Sequence, residues 1–312
     1  MATTIMIGVY SGRPNPRFEL SDAQEHELDA MIASLTRRTR TRMAAVRKTG
    51  FGVIQIIRKS GKRQSRILCG GGIVEFPGLP FSFPDAPGIG RFLLGICPDP
   101  ILIRPIKQAL IDIWKLRDIV RKAKKTQCAV NYSADASSYD LYWGAGYTPD
   151  WMVWNRQPCN NCYDYANQQL TDSFSQPGLG GGQKYVSHTC AAITAAAVRD
   201  GLAPVNDAHT WLSAGSGWYV ALVLGKVVGI NGKYEPDFHW FKQDKSGCWS
   251  HKLGGGMPMD VDANGNKIKN PATASLNFYG GMLIYDKFCG FFRTNASVII
   301  RGDTPNYCQP AY

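Results

Sequence analysis

The 312-residue sequence predicts an α+β protein. Three observations lead there: apolar residues recur at three- and four-residue intervals in a few segments, β-branched and aromatic runs lie between Gly, Pro and Asn breaks, and in the second half helices precede strands. With 44% hydrophobic and 19% charged residues, the chain can bury a sizeable core.

Thr3 to Tyr10 is β-branched and apolar enough for a strand, and the turn-rich Ser11-Gly12-Arg13-Pro14-Asn15-Pro16 ends it. A helix follows, with Ser21 as N-cap, Gln24 completing a capping box, and Leu28, Met31, Ile32 and Leu35 on one face. Phe51 to Arg58 and Arg66 to Phe76 read as strands joined at Lys59 to Arg63, which closes a small basic α+β module over residues 1–76.

Seven prolines and four glycines between Pro77 and Pro105 predict a linker or extended wrap. Residues 106–125 return to helical period, with basic residues gathered at the C-terminal end. Residues 77–128 are therefore read as linker plus amphipathic helix, and 129–312 as a second domain.

In that domain a helix is expected from about Cys162 to Phe174, capped by Asn160 or Asn161. A Gly/Pro-rich loop at residues 176–183 precedes an alanine-rich helix from Thr189 to Asp200. Gly217 to Gly229 is strand-like. A hairpin follows, with strands Asp237 to Lys242 and Cys248 to Lys252 around the turn Asp244-Lys245-Ser246-Gly247, and Phe278 to Phe292 supplies closing strands.

The formal charge is +11 and the pI about 9.2, which suits anionic partners. Eleven lysines and arginines lie between Arg37 and Arg66 with no acidic residue among them. They read either as a surface for an anionic polymer or nucleic acid, or as a solvated helix end and hairpin tip. No apolar run approaches the length of a membrane span, and the N-terminus lacks the pattern of a conventional signal peptide. Nine cysteines without a repeating spacing favour a reducing compartment, with export by a non-standard route as the alternative.

Chemistry concentrates at Cys159-Asn160-Asn161-Cys162-Tyr163. A thiol in the first turn of a helix feels the positive end of the peptide dipoles, which favours the nucleophilic thiolate. A cysteine hydrolase also needs a base. His239 and His251 stand twelve residues apart, an even number, so a hairpin turning near Lys245 would place both on one face.

The Cys-Asn-Asn-Cys-Tyr run resembles the nucleophile segment of papain-like peptidases, and the order of cysteine, strand histidine and hairpin histidine resembles the NlpC/P60 branch. The resemblance covers about residues 150–255. It implies a papain-like helix-plus-antiparallel-sheet domain with Cys162 as nucleophile, His239 as base, and His251 as the orienting group. It also implies an oxyanion contribution from Gln157 and a structural disulfide from Cys159, with Cys190 a possible partner. Asp260, Asp262 and Asn264 are alternatives to His251. The reaction implied is acyl transfer on a peptide or amide, without a cofactor or metal.

Other readings of the same residues stay open. The alternative for Cys162 is a buried or disulfide-bonded core residue. Cys159, Cys162, His188 and Cys190 contain zinc-like spacing. A phosphate-cradling role for residues 176–183 lacks the Lys-Ser/Thr ending. Seven tryptophans in the second domain also suit a non-catalytic binding or assembly protein on the same scaffold.

Overall fold

A computed structural model describes residues 2–8, 17–36, 54–60, 63–70, 73–76, 79, 82–85, 88–98, 128, 130, 132–137, 151, 159–228, 233–254, 258–278 and 281–302. It is an α+β structure in which strand outweighs helix, built on two antiparallel sheets. The helix expected over 106–125, Gln157 and most of the Arg37 to Arg66 run lie outside the described residues.

The first sheet runs β2-β1-β3-β4-β5-β6, from β1 (Ala2–Ile7), β2 (Arg17–Glu19), β3 (Ile54–Ser60), β4 (Arg63–Gly70), β5 (Ile73–Glu75) and β6 (Phe83–Pro84). Its register aligns Ile5 with Ile56 and Ile56 with Ile67, so one β-branched row crosses three strands and is buried. Helix α1 (Asp22–Ala33) starts at Ser21 with both halves of the predicted capping box formed, and it buries Leu28.

The Pro/Gly-rich segment differs from the expectation of a linker. It contributes β6 and a second helix, α2 (Ile89–Ile96), whose Ile89, Leu93 and Leu94 pack into the same core as Ile5 and Ile56. The helix starts because Asp85 accepts from the amides of Ile89 (2.6 Å) and Gly90 (2.9 Å), and Gly88 tolerates the left-handed φ of 78°. Gly88 therefore acts as punctuation at a helix start.

The second sheet runs β11-β10-β9-β8-β13-β12, with β7 also on β13. Its strands are β7 (Ala203–Val205), β8 (Trp218–Val228), β9 (Tyr234–Gln243), β10 (Trp249–Lys252), β11 (Pro258–Met259), β12 (Asn277–Phe278) and β13 (Leu283–Thr294). Alternation divides its side chains cleanly. Val220, Leu222, Leu224, Phe238 and Trp240 pack on one face with helices α3 (Cys162–Ala166) and α4 (Cys190–Arg199). Ala221, Val223 and Phe241 pack on the other face with Trp249, Met259, Val261 and Phe278.

Helix α3 ends at Ala166 rather than near Phe174. The reason is local competition for its polar groups. Asp164 takes a hydrogen bond from the Thr171 hydroxyl (2.7 Å) and another from the Ser175 amide (3.3 Å), folding the chain back, with Gln168, Asp172 and Phe174 at positive φ. Met6 and Ile57 of the first sheet meet Cys159 and Phe174, which flank α3, in a small shared cluster.

Cys128 pairs with Cys248 and Cys190 with Cys289, while Cys159 is also disulfide-bonded. Cys190 therefore does not partner Cys159, since its sulfur is committed to β13. The disulfides run against the expectation of a reducing compartment. Among the described residues, no helix is long and apolar enough to cross a membrane.

Candidate functional site

Asn161 caps α3 by accepting from the amides of Tyr163 (3.0 Å) and Asp164 (3.1 Å), and Asp164 returns a bond from the Asn161 amide (2.8 Å). This reciprocal cap fixes the direction of the Cys162 side chain. The thiol is fully buried, packed with Phe238 and Trp240, with its sulfur 3.9 Å from the Phe238 carbonyl oxygen.

The charged group near that sulfur is Lys252, at the end of β10. Its ammonium donates to the carbonyls of Asn160 (2.5 Å) and Gly254 (2.6 Å). Burial pulls the Lys252 pKa down to about 7, against the opposing pull of Asp164 and Cys162.

The histidines meet, as their even spacing predicted, with His239 Nε2 2.8 Å from His251 Nδ1. The route differs in one detail. Gln243 pairs with Trp249, so the turn spans residues 244–248 and His251 lies opposite Phe241, diagonal to His239. The slip of two preserves the shared face.

That face is the wrong one for Cys162. Val223 opposes His239 in the register, and His239 stacks on Tyr285 at 5.0 Å, both in the cluster on the sheet face away from α3. Phe238 and Trp240, its chain neighbours, point to α3 instead. The expected meeting of Cys162 with His239 and His251 is thereby corrected: strand alternation sends imidazoles and thiol to opposite sides. Burial and the adjacent His251 push the His239 pKa well below the ordinary 6.5, and burial takes His251 to about 4, so both rings are neutral.

The alternative orienting groups are engaged elsewhere. Asp260 pairs with Lys267, and Asp262 accepts from the amides of Asn264 (3.0 Å) and Asn266 (2.9 Å) within its own turn. His251 turns instead to the Val261 carbonyl at 3.0 Å. The zinc reading of Cys159, Cys162, His188 and Cys190 fails because Cys159 and Cys190 are oxidised.

Two buried lysines escaped the sequence reading. Besides Lys252, Lys242 lies on the α3 face of β9, 2.9 Å from Asp244 and 2.6 Å from the Ser137 hydroxyl, with its ammonium over the Tyr165 ring. Ser250 donates to Asp244 (2.8 Å) and shares a 2.6 Å contact with Tyr165. Burial lifts the Asp244 pKa to about 6 even with Lys242 beside it. The available signal was parity: Lys242 follows Phe238 and Trp240 at intervals of two, on a face otherwise apolar.

The Gly-rich loop has its amide cradle already filled. Asp200, following α4, accepts from the amides of Gly178 (2.6 Å) and Gly181 (2.9 Å) and from the Tyr163 hydroxyl (2.9 Å). A carboxylate of the chain itself sits where a phosphate-binding loop would hold its ligand. Of the basic run, Arg58 pairs with Asp29 at 2.5 Å and Arg66 is buried 3.9 Å from the Cys159 sulfur, so these two cations serve the fold.

Against known proteins, the chain is similar to insoluble matrix shell protein 1 of Ruditapes philippinarum. Identity is 33% over 129 residues, which span 79% of that protein and 40% of this chain. The chain belongs to the family of that shell protein. The shared segment thus accounts for most of the relative and well under half of the present sequence, which carries a large additional part. No protein-family profile and no solved structure matches the chain.

Proposed function

We propose that this chain is a non-catalytic, disulfide-stapled assembly component of an extracellular matrix, and that its net positive charge engages an anionic polymer there. The observation that carries the reading is kinship with an insoluble shell matrix protein over 79% of that relative's length. Two features of the fold support it. Five half-cystines among the described residues suit an oxidising exterior. Cys162 and the histidine pair, the groups a hydrolase would use, are buried on opposite sheet faces. Export is part of this proposal.

The reading is tested by co-sedimentation of the full chain with an insoluble acidic polysaccharide across a salt series. Binding that weakens as salt rises supports it. Failure to pellet at low salt overturns it.

A second reading, acyl transfer through Cys162 on a papain-like scaffold, is favoured by the cap that places the thiol in the first turn of α3 and by Lys252 at its side. In that case Lys252, the neighbouring group with a lowered pKa, would hold the thiol proton in place of His239. Iodoacetamide at pH 6 separates the readings. Labelling of Cys162 faster than a free cysteine supports the enzyme, and slower labelling supports the assembly protein.

A further inference from the structure

We infer that Asn295 is a site of N-linked glycosylation, an inference that rests on the proposed extracellular role. The sequence holds the acceptor pattern Asn-x-Ser at Asn131-Tyr132-Ser133 and Asn295-Ala296-Ser297, with no proline at the middle position of either. The two differ in what the fold does with the serine.

Ser133 is fully buried. Its hydroxyl donates to the Gly217 carbonyl (2.5 Å) and accepts from the amides of Asp135 and Ala136 (3.1 Å each), and its segment is bound to Leu212 through the carbonyl of Tyr132 (2.8 Å). The serine that completes this acceptor pattern is thus committed to the fold. Ser297 and Ala296 are exposed.

The Asn295 turn is held from both ends. Thr294 before it is buried and donates to Asn167 at 2.6 Å, while Val298 and Ile300 after it are core residues of the α3 face. Within the turn, the Asn295 side-chain oxygen accepts both the Ser297 amide (2.9 Å) and the Ser297 hydroxyl (2.6 Å). The carboxamide nitrogen is thereby turned away from the serine, and it is not among the buried polar atoms lacking a partner. Asn295 itself is half-buried, and a glycan on that nitrogen would extend beside the exposed Ala296 and Ser297.

The modification replaces one N–H. The Asn295 carboxamide nitrogen bonds to the anomeric carbon of an oligosaccharide carried on a lipid pyrophosphate. The bond from that carbon to the pyrophosphate oxygen breaks, the nitrogen gives up a proton to the transferase's base, and the lipid pyrophosphate leaves. On a matrix protein, the result is a hydrophilic tether placed at the end of β13.

The full chain, with and without an added secretion leader, is expressed in eukaryotic secretory cells and treated with peptide-N-glycosidase. Behind the leader, the secreted protein is expected to lose about 2 kDa, on the order of one core glycan. Asn295→Gln and Ser297→Ala are each expected to abolish the shift, and Asn131→Gln to leave it. A secreted protein with no shift, or a shift lost only in Asn131→Gln, overturns the inference. Export of the chain without the added leader reports separately on the extracellular reading, so the two can fail independently.

Discussion

His239 donates from Nε2 to His251 Nδ1 across 2.8 Å, and His251 in turn donates from Nε2 to the Val261 carbonyl at 3.0 Å. The carbonyl can only accept, which fixes both tautomers and makes the pair a neutral chain of donors. Both rings are fully buried among Phe241, Phe278 and Tyr285, so this pair ties β9, β10 and the segment after β11 together inside an apolar layer.

The histidine pair should therefore contribute stability that rises with pH between about 4 and 6.5. The unfolded chain binds protons on these histidines in that window and the folded chain does not, so folding strengthens as the protons are released. For His251, a fall from 6.5 to about 4 at about 1.4 kcal/mol per pH unit is worth roughly 3 kcal/mol. Asp244, raised from 3.8 to about 6, works the other way, as do Asp164 and Asp200, whose carboxyls burial also raises, so the histidine contribution is read as a difference between variant and parent. Urea midpoints of His239→Phe/His251→Phe, measured from pH 4 to 7, should lose ground to the parent as the pH rises; an unchanged pH dependence would sink this assignment.

Lys252 is expected to be a stability residue. Lys252→Met keeps the volume but leaves the carbonyls of Asn160 and Gly254 without their donor and Asp164 without a nearby cation. Removing one member of such a buried set should cost about 3 kcal/mol or more. The exposed Lys269→Met should stay within about 0.5 kcal/mol of the parent. Comparable denaturation curves for the two variants would contradict the assignment.

Much of the scaffold was legible because its signals are local. The Ser21 capping box, the Asn161 cap, the alanine-rich α4 and the β9–β10 hairpin depend on residues within a few positions of one another. Parity placed His239 beside His251 even though the turn centre was one residue off. The same parity argument, extended to Phe238 and Trp240, would have shown that the histidines face away from a helix packed on those aromatics. That step needs to know which face carries the helix, a long-range fact. The end of α3 depends likewise on Thr171 and Ser175 bonding back to Asp164, and α2 on Asp85 capping it inside a proline-rich segment. Nothing in the cysteine spacing announces that Cys190 meets Cys289.

Asp200 should control the loop at residues 176–183. Asp200→Ala removes the acceptor for two loop amides and for the Tyr163 hydroxyl, leaving donors that water must find. The expected loss is about 1–3 kcal/mol. Limited proteolysis should cut within Gly178 to Gln183 in the variant while sparing the parent. Equal resistance in both would mean that Asp200 does not hold the loop.

The Cys190–Cys289 disulfide clamps the start of α4 to β13 over the cluster that contains Cys162. Its chain separation is 99 residues, for which the loop-entropy account gives about 4.7 kcal/mol and measured native disulfides about 2–5 kcal/mol. Cys190→Ser/Cys289→Ser should lose stability in that range. It should also loosen α4 locally, since the alanine-rich helix buries few side chains: Ile193, Ala196 and Ala197. Iodoacetamide should then reach Cys162 faster in the variant than in the parent under native conditions. If stability falls while Cys162 stays equally protected, the disulfide acts on the unfolded chain alone and α4 does not cover the thiol.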